Sequence, residues 1–339
     1  MKKQILVTGG AGYIGSHTIK QLGEAGYEIV VYDNLSTGIA SNITYGQLAL
    51  GDLADREQLS QVFAEHQFDA VLHFAASISV PDSVLHPLAY YSNNTANTLN
   101  LLHCCQAGGV NKLIFSSTAA VYGQPETNPI TEDTVPQPLN PYGSSKLMSE
   151  RIIRDYALAS DLKYVILRYF NVAGAEVGGT LGQSGKKASH LIKVTCDAAL
   201  GRRPSVGIFG TDFDTPDGTG IRDYIHVDDL ARAHVDALTY LNGDRSQSQI
   251  LNCGYGQGYS VRQVIEKVKE ISGVDFTVIE AERRAGDPAC VISAAERITK
   301  ILNWQPRYND LDLIVRTALA WEKKITANSL PEQQLIGKG

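Results

Sequence analysis

The sequence predicts an α/β fold in which a doubly wound parallel sheet is joined to a second, smaller α/β substrate domain. In the first half, short β-branched runs alternate with longer amphipathic segments, which is the pattern of parallel strands joined by crossover helices. After Asn171 this regularity gives way to a glycine-rich stretch from Gly174 to Gly185, which predicts a domain boundary. The length of 339 residues suits two unequal domains.

The elements follow from this alternation in chain order. The predicted strands of the first domain are Gln4–Val7, Glu28–Tyr32, Ala70–His73, Lys112–Ser116 and Lys163–Leu167. The helices between them are predicted near Ile14–Ala25, Asp55–His66, Pro87–Ala107 and Tyr142–Ala159. Beyond the boundary we predict a helix near Ala188–Leu200, a strand around Ser205–Phe209 and a helix near Asp228–Leu241 that returns to the first domain.

The domain division follows from these elements. We predict a Rossmann domain over residues 1–175 with a return segment at about 221–253, and a substrate domain over 176–339 apart from that segment. The residues after Asn328 read as a polar tail.

Composition narrows the classes of partner. The formal charge of -6 is spread along the chain without a basic tract, which argues against nucleic-acid or membrane-surface binding. The opening apolar run, Ile5–Val7, is too short for a signal-peptide core, so a cytoplasmic protein is expected. The cysteines have no Cys-x-x-Cys spacing, so we expect reduced thiols and no metal; they are Cys104, Cys105, Cys196, Cys253 and Cys290.

A glycine-rich turn follows the first strand and opens a helix. Its spacings are Gly10-x-Gly12-x-x-Gly15 and Gly9-x-x-Gly12-x-x-Gly15. Glycines there permit a tight turn and close approach of a pyrophosphate to the positive amino end of the helix. A plain strand-to-helix turn is the alternative for the triplet taken alone.

Acidic residues after the second strand strengthen the dinucleotide interpretation. Asp33 ends that strand, where a carboxylate accepts hydrogen bonds from the adenosine ribose and repels a 2′-phosphate. The next residue is Asn34 and no arginine follows directly, so NAD is favoured over NADP. Asp52, followed by Leu53, is placed near the adenine, although an ordinary strand-end turn explains it nearly as well.

Three side chains predict redox chemistry on a hydroxyl group. Tyr142 and Lys146 occupy successive turns of one helix face, with Pro141 at the helix start. A lysine cation and a positive nicotinamide ring both favour the phenolate, so Tyr142 can accept a proton. The run from Ser116 to Thr118 ends a strand at the sheet edge where ligands bind. The alternatives are a solvent-facing helix pair and ordinary loop capping.

Together these motifs carry a resemblance that spans essentially the whole chain. Thr8–Gly15, Thr118, Tyr142-x-x-x-Lys146, Arg168–Asn171 and Arg222–Val227 resemble the extended short-chain dehydrogenase/reductase superfamily, and within it the UDP-glucose 4-epimerase family. The resemblance implies oxidation of the sugar C4 hydroxyl by tightly held NAD, rotation of the 4-keto sugar and reduction on its other face. It also implies a homodimer and the interconversion of UDP-glucose and UDP-galactose.

The resemblance assigns residues to each ligand. Tyr142 is the implied base and acid, Thr118 aligns the C4 oxygen, and Lys146 binds the nicotinamide ribose. The implied NAD-binding residues are Gly9, Gly12, Tyr13, Ile14, Gly15, Asp33, Asn34, Asp52, Leu53, Phe74, Ala75, Ala76, Asn93, Ser116, Tyr142, Lys146 and Phe170. The implied UDP-sugar residues are Thr118, Tyr142, Asn171, His190, Leu191, Phe209, Arg222, Tyr224, Arg284, Asp287 and Val291.

Some positions depart from the family pattern. His190 stands where relatives often have asparagine, and a structural histidine is the alternative; His73 and His226 are expected to be structural. Ile78 stands where some epimerases place a lysine near the cofactor phosphates, so Ser77, Ser79 or Asn93 is expected to carry more of the cofactor affinity.

Val291 bears on the choice of sugar. A gap-free match to the family places it beside the C2 substituent of the hexose, where members restricted to plain hexoses often have tyrosine. A valine leaves room for an N-acetyl group, so UDP-GlcNAc and UDP-GalNAc are expected as substrates too. The alternatives are that a neighbouring side chain fills the space, or that Cys290 faces the sugar.

Other activities on the same scaffold are less compatible with the sequence. Related 4,6-dehydratases follow the threonine with Asp-Glu, and decarboxylases keep the glutamate, whereas this chain has Ala119-Ala120. Methyl groups transfer no protons, so elimination is disfavoured. A non-catalytic sensor that binds NAD is the remaining alternative, and it would not need Tyr142, Lys146 and Thr118 together.

Overall fold

The computed structural model describes residues 2–184, 190–284 and 286–329. Three predicted features lie outside these residues: the end of the glycine-rich stretch at Gly185, the helix start at Ala188 and the tail beyond residue 329. The strands are β1 (Gln4–Thr8), β2 (Glu28–Asp33), β3 (Gln47–Leu50), β4 (Ala70–His73), β5 (Lys112–Ser116), β6 (Lys163–Tyr169), β7 (Asn171–Ala173), β8 (Val206–Phe209), β9 (Ile221–His226), β10 (Gln249–Cys253), β11 (Gly258–Ser260), β12 (Val278–Ala281) and β13 (Cys290–Val291).

Helices connect these strands. They are α1 (Tyr13–Glu24), α2 (Arg56–Glu65), α3 (Val80–Leu85), α4 (Pro87–Tyr90), α5 (Asn97–Ala107), α6 (Pro141–Leu158), α7 (Leu191–Ala199), α8 (Val227–Leu241), α9 (Val261–Ser272), α10 (Glu296–Leu302) and α11 (Leu311–Ser329). Short 3₁₀ turns occupy Ala40–Asn42 and Ala119–Tyr122, and a π-helical turn occupies Tyr91–Ala96. None of the helices in the described part of the chain has the length and apolar character needed to cross a membrane.

The largest sheet has seven parallel strands in the order β10-β6-β5-β4-β1-β2-β3. From β1 the chain builds β2 and β3 on one side and then crosses over to place β4 on the other side of β1. The carboxyl ends of β1 and β4 therefore flank the point where the winding reverses, which is where such sheets bind ligands. The predicted doubly wound α/β fold is confirmed.

Apolar strands explain why this sheet is covered on both faces. Ile5 and Val7 point into one hydrophobic core, and Leu6 points into the core on the opposite face. All three side chains are inaccessible to solvent. A continuous apolar run is the expected signature of a strand buried between two helix layers.

The later part of the chain divides its elements between two cores. β9 pairs with β7, β11 and β13 in a smaller sheet, and β8 pairs with β12. Side chains of α7, α9 and α11 form a third core with these strands. α8 packs on α1, and β10 extends the large sheet beside β6. The domain boundary proposed from the sequence remains a prediction.

The single helix predicted at Pro87–Ala107 is wrong in one respect: a π-helical turn separates α4 from α5. The wide turn lets the buried amide of Asn94 reach the loop after β4. Asn94 Oδ1 accepts from Ser77 N at 2.7 Å, and its Nδ2 donates to Ser77 O and to Ser145 Oγ, each at 3.0 Å. A hydrophobic period cannot reveal a widening of this kind, which often marks a functional site.

Candidate active site

The glycine loop after β1 has steric requirements that only glycine meets. Gly9 has φ +73°, and a Cβ there would stand 2.5 Å from the backbone nitrogen of Ala75. A Cβ on Gly15 would lie 2.5 Å from Gly9 O, so the loop and α1 pack backbone to backbone. Gly12 is the N-cap of α1 and supplies no side-chain cap to the first turn. The loop therefore leaves the amino end of α1 uncovered by side chains, which fits the pyrophosphate of a dinucleotide.

Asp33 lies beside this loop at the end of β2. Its carboxylate accepts from Ala11 N at 2.9 Å and from Leu35 N at 2.8 Å, and the residue is 8% exposed. An ionised carboxylate has about four acceptor positions, so capacity remains for ribose hydroxyls. The same side chain thus orders the glycine loop and can recognise the ribose.

The residues predicted around the adenine lie in the next two loops. Asn34 Nδ2 donates to Asp52 Oδ2 at 2.8 Å, so these two polar side chains are adjacent. The side chain of Leu53 is buried in the core of the large sheet, which leaves its backbone as the group available to a ligand.

The loop after β4 lies on the other side of the point where the winding of the large sheet reverses. Phe74 N and Ala75 N both donate to Thr8 O, at 2.9 and 3.1 Å, so Phe74, Ala75 and Ala76 lie against the glycine loop. Asn93 Nδ2 donates to Ser77 Oγ at 3.0 Å. Ile78 is exposed, and the hydroxyl of Ser79 caps α3, so Ser77 with Asn93 is the polar pair nearer the loop.

Tyr142 and Thr118 meet at the carboxyl end of β5. The Tyr142 phenol interacts with the hydroxyls of Thr118 and Tyr169, and the residue is 6% exposed. Thr118 is the N-cap of the 3₁₀ turn, where its Oγ1 accepts from Ala120 N at 3.1 Å. Asn140 caps α6 and Pro141 opens it, which sets Tyr142 at the helix start. Ser116 lies next to the Tyr169 phenol.

Lys146 lies one turn further along α6, with its Nζ 4.1 Å from the centre of the Phe115 ring. Burial lowers the pKa of Lys146 to about 7, and the charge of Glu150 opposes that change. Burial raises the pKa of Tyr142, so the lowering expected from a neighbouring lysine does not outweigh desolvation in the chain itself.

Several residues near this centre were given no role from the sequence, although Arg168 and Tyr169 belong to one of the motifs that carry the resemblance. Tyr169 contacts Tyr142, and Phe115 stacks under Lys146. Glu150 and Arg168 form a buried ion pair with a shortest contact of 2.6 Å. One signal was available: Glu150 follows Lys146 by four residues and so shares its helix face.

The second group of predicted residues lies on the smaller sheet. Asn171 pairs with Tyr224 in the parallel β7–β9 ladder, and Arg222 pairs with Val291 in the parallel β9–β13 ladder. Directly paired residues point to the same face of a sheet, so the side chains of Arg222 and Val291 lie on the same face of the smaller sheet. Val291 also packs against the cluster that contains Phe170 and Ala119. That contact places Val291, rather than Cys290, toward the residues that follow Thr118.

Phe209 and Arg284 come together at the end of β8. The Arg284 guanidinium lies 3.7 Å from the centre of the Phe209 ring, and both side chains are exposed. Asp287 N donates to Arg284 O at 3.2 Å, which closes the turn between them. A guanidinium group at such an exposed position can bind an anion.

Histidines fall into two groups. His190, followed by Leu191, stands exposed at the start of α7, where its Nδ1 is 3.2 Å from Gln183 Nε2. His226 Nδ1 accepts from Asp228 N and caps α8, which is a structural contact. His73 is held between the hydroxyls of Thr8 and Thr98, so it is structural as well.

The sequence and the fold both match known epimerases. Residues 5–254 match the model of the NAD dependent epimerase/dehydratase family. A UDP-glucose 4-epimerase of Azospirillum brasilense is 54% identical over 323 residues, which cover 95% of this chain and 92% of that protein.

Solved structures give the same result. UDP-glucose 4-epimerase from Brucella ovis in complex with NAD is similar with a TM-score of 0.91 and 44% identity, over 94% of this chain and 97% of that chain. The UDP-Glc/GlcNAc 4-epimerase from Campylobacter jejuni is similar with a TM-score of 0.84 and 51% identity, over 95% and 99% of the two chains. The resemblance drawn from the motifs is confirmed, and this chain belongs to the NAD dependent epimerase/dehydratase family.

Proposed function

We propose that this chain is an NAD-dependent UDP-hexose 4-epimerase that interconverts UDP-glucose and UDP-galactose. The observation that carries the proposal is the buried contact between Tyr142 and Thr118 at the ligand edge of the large sheet, with Lys146 one turn away. The relatives from Azospirillum brasilense and Brucella ovis are both UDP-glucose 4-epimerases.

The residues around the point where the winding of the large sheet reverses fit NAD. The glycine loop and the amino end of α1 hold the pyrophosphate, and Asp33 holds the adenosine ribose. When bound there, NAD supplies reversible two-electron oxidation at the sugar C4. Lys146, at the base of the catalytic pair, holds the nicotinamide ribose.

Tyr142 and Thr118 handle the oxygen on C4. Thr118 orients that oxygen by a hydrogen bond, and Tyr142 takes its proton and later returns it to the inverted alcohol. Ala119 and Ala120 follow Thr118 in the 3₁₀ turn and place methyl groups where a dehydratase needs an acid and a base. The chain can therefore exchange the C4 proton but cannot promote loss of water.

Inversion requires that the nucleotide be held while the hexose turns over. Arg222 and Arg284 carry the charge suited to the diphosphate, and Phe209 offers an aromatic face beside Arg284. Asn171, Tyr224, His190, Leu191 and Asp287 complete the proposed nucleotide site. These anchors lie on β7–β9, α7 and the segment after β12, away from α6.

The function is tested by incubating the purified protein with UDP-glucose and separating the products without added reductant. We expect UDP-galactose to form, with no net change in nicotinamide absorbance. A 4-keto-6-deoxy product would identify a dehydratase instead. Bound NAD without any sugar interconversion would identify a non-catalytic sensor.

The sugar range is proposed to include UDP-GlcNAc and UDP-GalNAc. Val291 packs toward Phe170 and Ala119, and its side chain is several heavy atoms smaller than the tyrosine that the resemblance places at this position in members restricted to plain hexoses. The Campylobacter jejuni relative is a UDP-Glc/GlcNAc 4-epimerase. Val291→Tyr should suppress turnover of the acetylated pair while sparing the plain pair, and rejection of acetylated sugars by the unaltered protein contradicts the pocket argument.

We also propose a homodimer located in the cytoplasm. Leu88 is 79% exposed, Leu99 43% and Met148 48%, on adjoining helical segments that can pair with a second copy of this chain. All five cysteines are unpaired, which suits a reducing compartment. Sedimentation should give a dimer that Leu88→Glu combined with Met148→Glu dissociates.

A further inference from the structure

A cluster of charged side chains lies buried below the catalytic pair. Glu150 is 1% exposed, Arg168 2% and Lys146 3%. Arg168 is ion-paired with Glu150, and Lys146 lies one turn before Glu150 on the same face of α6, so both cations lie in the buried region around this carboxylate. Burying charge is costly unless it is paired, so this arrangement requires an explanation beyond packing.

Glu150 is the centre of the cluster. It accepts from Arg168 Nε at 3.1 and 3.2 Å and from Arg168 Nη2 at 2.6 Å. It also accepts from Ser117 Oγ at 2.5 Å. Because Ser117 directly precedes Thr118, Glu150 ties the end of β5 to α6, the helix that carries Tyr142 and Lys146.

Arg168 extends the connection to the other side of Thr118. Its Nη1 donates to the Tyr122 hydroxyl at 3.0 Å, and that hydroxyl donates to Asn252 Oδ1 at 2.7 Å. Tyr122 ends the 3₁₀ turn that Thr118 begins. Thr118 is therefore fixed on both sides by contacts that pass through Glu150 and Arg168.

The charge of Glu150 also acts on Lys146. Among the described residues, Glu150 is the group whose charge raises the pKa of Lys146 against burial. The other ionisable groups on the packed elements offer no negative charge: burial keeps His73 neutral, and it raises the pKa of Tyr122 and of Tyr169. Arg168 is a cation already paired with Glu150. The exposed Asp82 of α3 is not among the causes that shift the pKa of Lys146.

We propose that Glu150 is a positioning residue that keeps Lys146 charged and holds Thr118 in register with Tyr142. The role of Glu150 in catalysis rests on the proposed epimerase function. The effect of Glu150 on the charge of Lys146 does not, because that charge can be measured in the protein without substrate.

The first test is a titration of Lys146 in Glu150→Gln, which keeps the shape of the side chain and removes its charge. The Lys146 resonance of protein labelled with ¹³C at lysine Cε is assigned with Lys146→Arg and followed against pH. We expect its midpoint to fall by about one pH unit or more. Glu132→Gln is the matched control, since Glu132 is a carboxylate on the far side of Tyr122 that accepts from Asn252 N, and it should leave the midpoint unchanged.

The second test is the pH dependence of turnover. If the Lys146 midpoint falls from about 7 to about 6, the protonated fraction drops about ninefold at pH 8 but only about twofold at pH 6, so Glu150→Gln should lose about fivefold more turnover at pH 8 than at pH 6. Glu150→Asp restores the charge and should restore the profile. If Glu150→Gln does not fold, Glu150→Gln combined with Arg168→Met avoids an unpaired buried cation; its Lys146 midpoint should fall by less than in Glu150→Gln, because a neighbouring positive charge is removed together with the carboxylate. An unmoved Lys146 midpoint, or an equal loss of turnover at every pH, overturns the proposal.

Discussion

Tyr142 is the side chain whose single oxygen atom the proposed chemistry needs. Tyr142→Phe keeps the ring in its buried position and deletes the group that exchanges a proton with the sugar, so turnover should fall by about 10²–10⁴-fold. Binding of NAD and UDP-sugar, measured by calorimetry, should change little. Tyr169→Phe is the matched control, because it removes a phenol that touches Tyr142 without removing the Tyr142 oxygen. Unchanged turnover in Tyr142→Phe would show that another group handles the C4 proton.

Asp33 orders the glycine loop through its carboxylate and is proposed to select the cofactor. Asp33→Asn keeps an acceptor for only one of the two loop amides, because Ala11 N donates to Oδ2 and Leu35 N donates to Oδ1, and it removes the negative charge that repels a 2′-phosphate. The ratio of the NADP and NAD dissociation constants should narrow by about tenfold, or about 1.4 kcal/mol. Asp33→Ser also loses the loop contacts, so it should weaken NAD binding in addition. Equal affinity of the unaltered protein for both cofactors would contradict the assignment.

At the scale of elements, the junction of β1 with α1 depends on one backbone conformation. Gly9→Ala imposes both a positive φ and a Cβ 2.5 Å from Ala75 N, so it should lower the free energy of unfolding and the NAD content of the purified protein. Gly26→Ala is the matched control, because Gly26 has φ +86° and no atom within 4 Å of its Cβ position. Its cost should be limited to about 1–2 kcal/mol of backbone strain, with NAD content unchanged. Equal NAD loss in both variants would contradict the steric argument.

Among the strands of the large sheet, some were predicted from the local sequence pattern and others were missed. The strands β1, β2, β4, β5 and β6 were predicted because their apolar runs are buried from both sides. β3 was missed because it is a mostly exposed edge strand of 4 residues, too short to show a periodic pattern. β10 was missed because it reaches β6 only after a separation of more than 80 residues, and no local pattern specifies that pairing.

Tyr142 and Lys146 were predicted as site residues for a similar reason, since both lie on one face of a single helix. The ion pair of Glu150 with Arg168 joins α6 to β6, and Tyr122 reaches Asn252 across 130 residues of sequence. Partner choice among buried polar side chains depends on three-dimensional packing, which spacing alone does not contain. The sequence indicated the chemistry of the centre but not the buried contacts that hold it in place.

At the scale of the whole molecule, buried histidines whose pKa is lowered make the free energy of unfolding depend on pH. Burial lowers the pKa of His73 to about 3 and that of His234 to about 4, whereas both side chains titrate near 6.5 when unfolded. Below pH 6.5 these two histidines therefore bind protons in the unfolded chain but stay neutral in the folded chain. Their contribution to the free energy of unfolding is fully present above pH 6.5. It decreases as pH falls toward the folded pKa values, by at most about 1.4 kcal/mol per pH unit for each group.

Urea unfolding at a series of pH values between 7.5 and 5 measures the slope of the free energy of unfolding against pH. His73→Asn should flatten it, because asparagine can bond Thr8 Oγ1 as His73 Nδ1 does at 2.7 Å but takes up no proton. His103→Asn, at an exposed position of α5, should leave the slope unchanged. Burial raises the pKa of Asp223 to about 6, so below pH 6 this residue increases the free energy of unfolding as pH falls, opposite to the histidines. The slope of each variant is therefore compared with the slope of the unaltered protein. If His73→Asn keeps the full slope, His73 is not a source of the acid sensitivity of this fold.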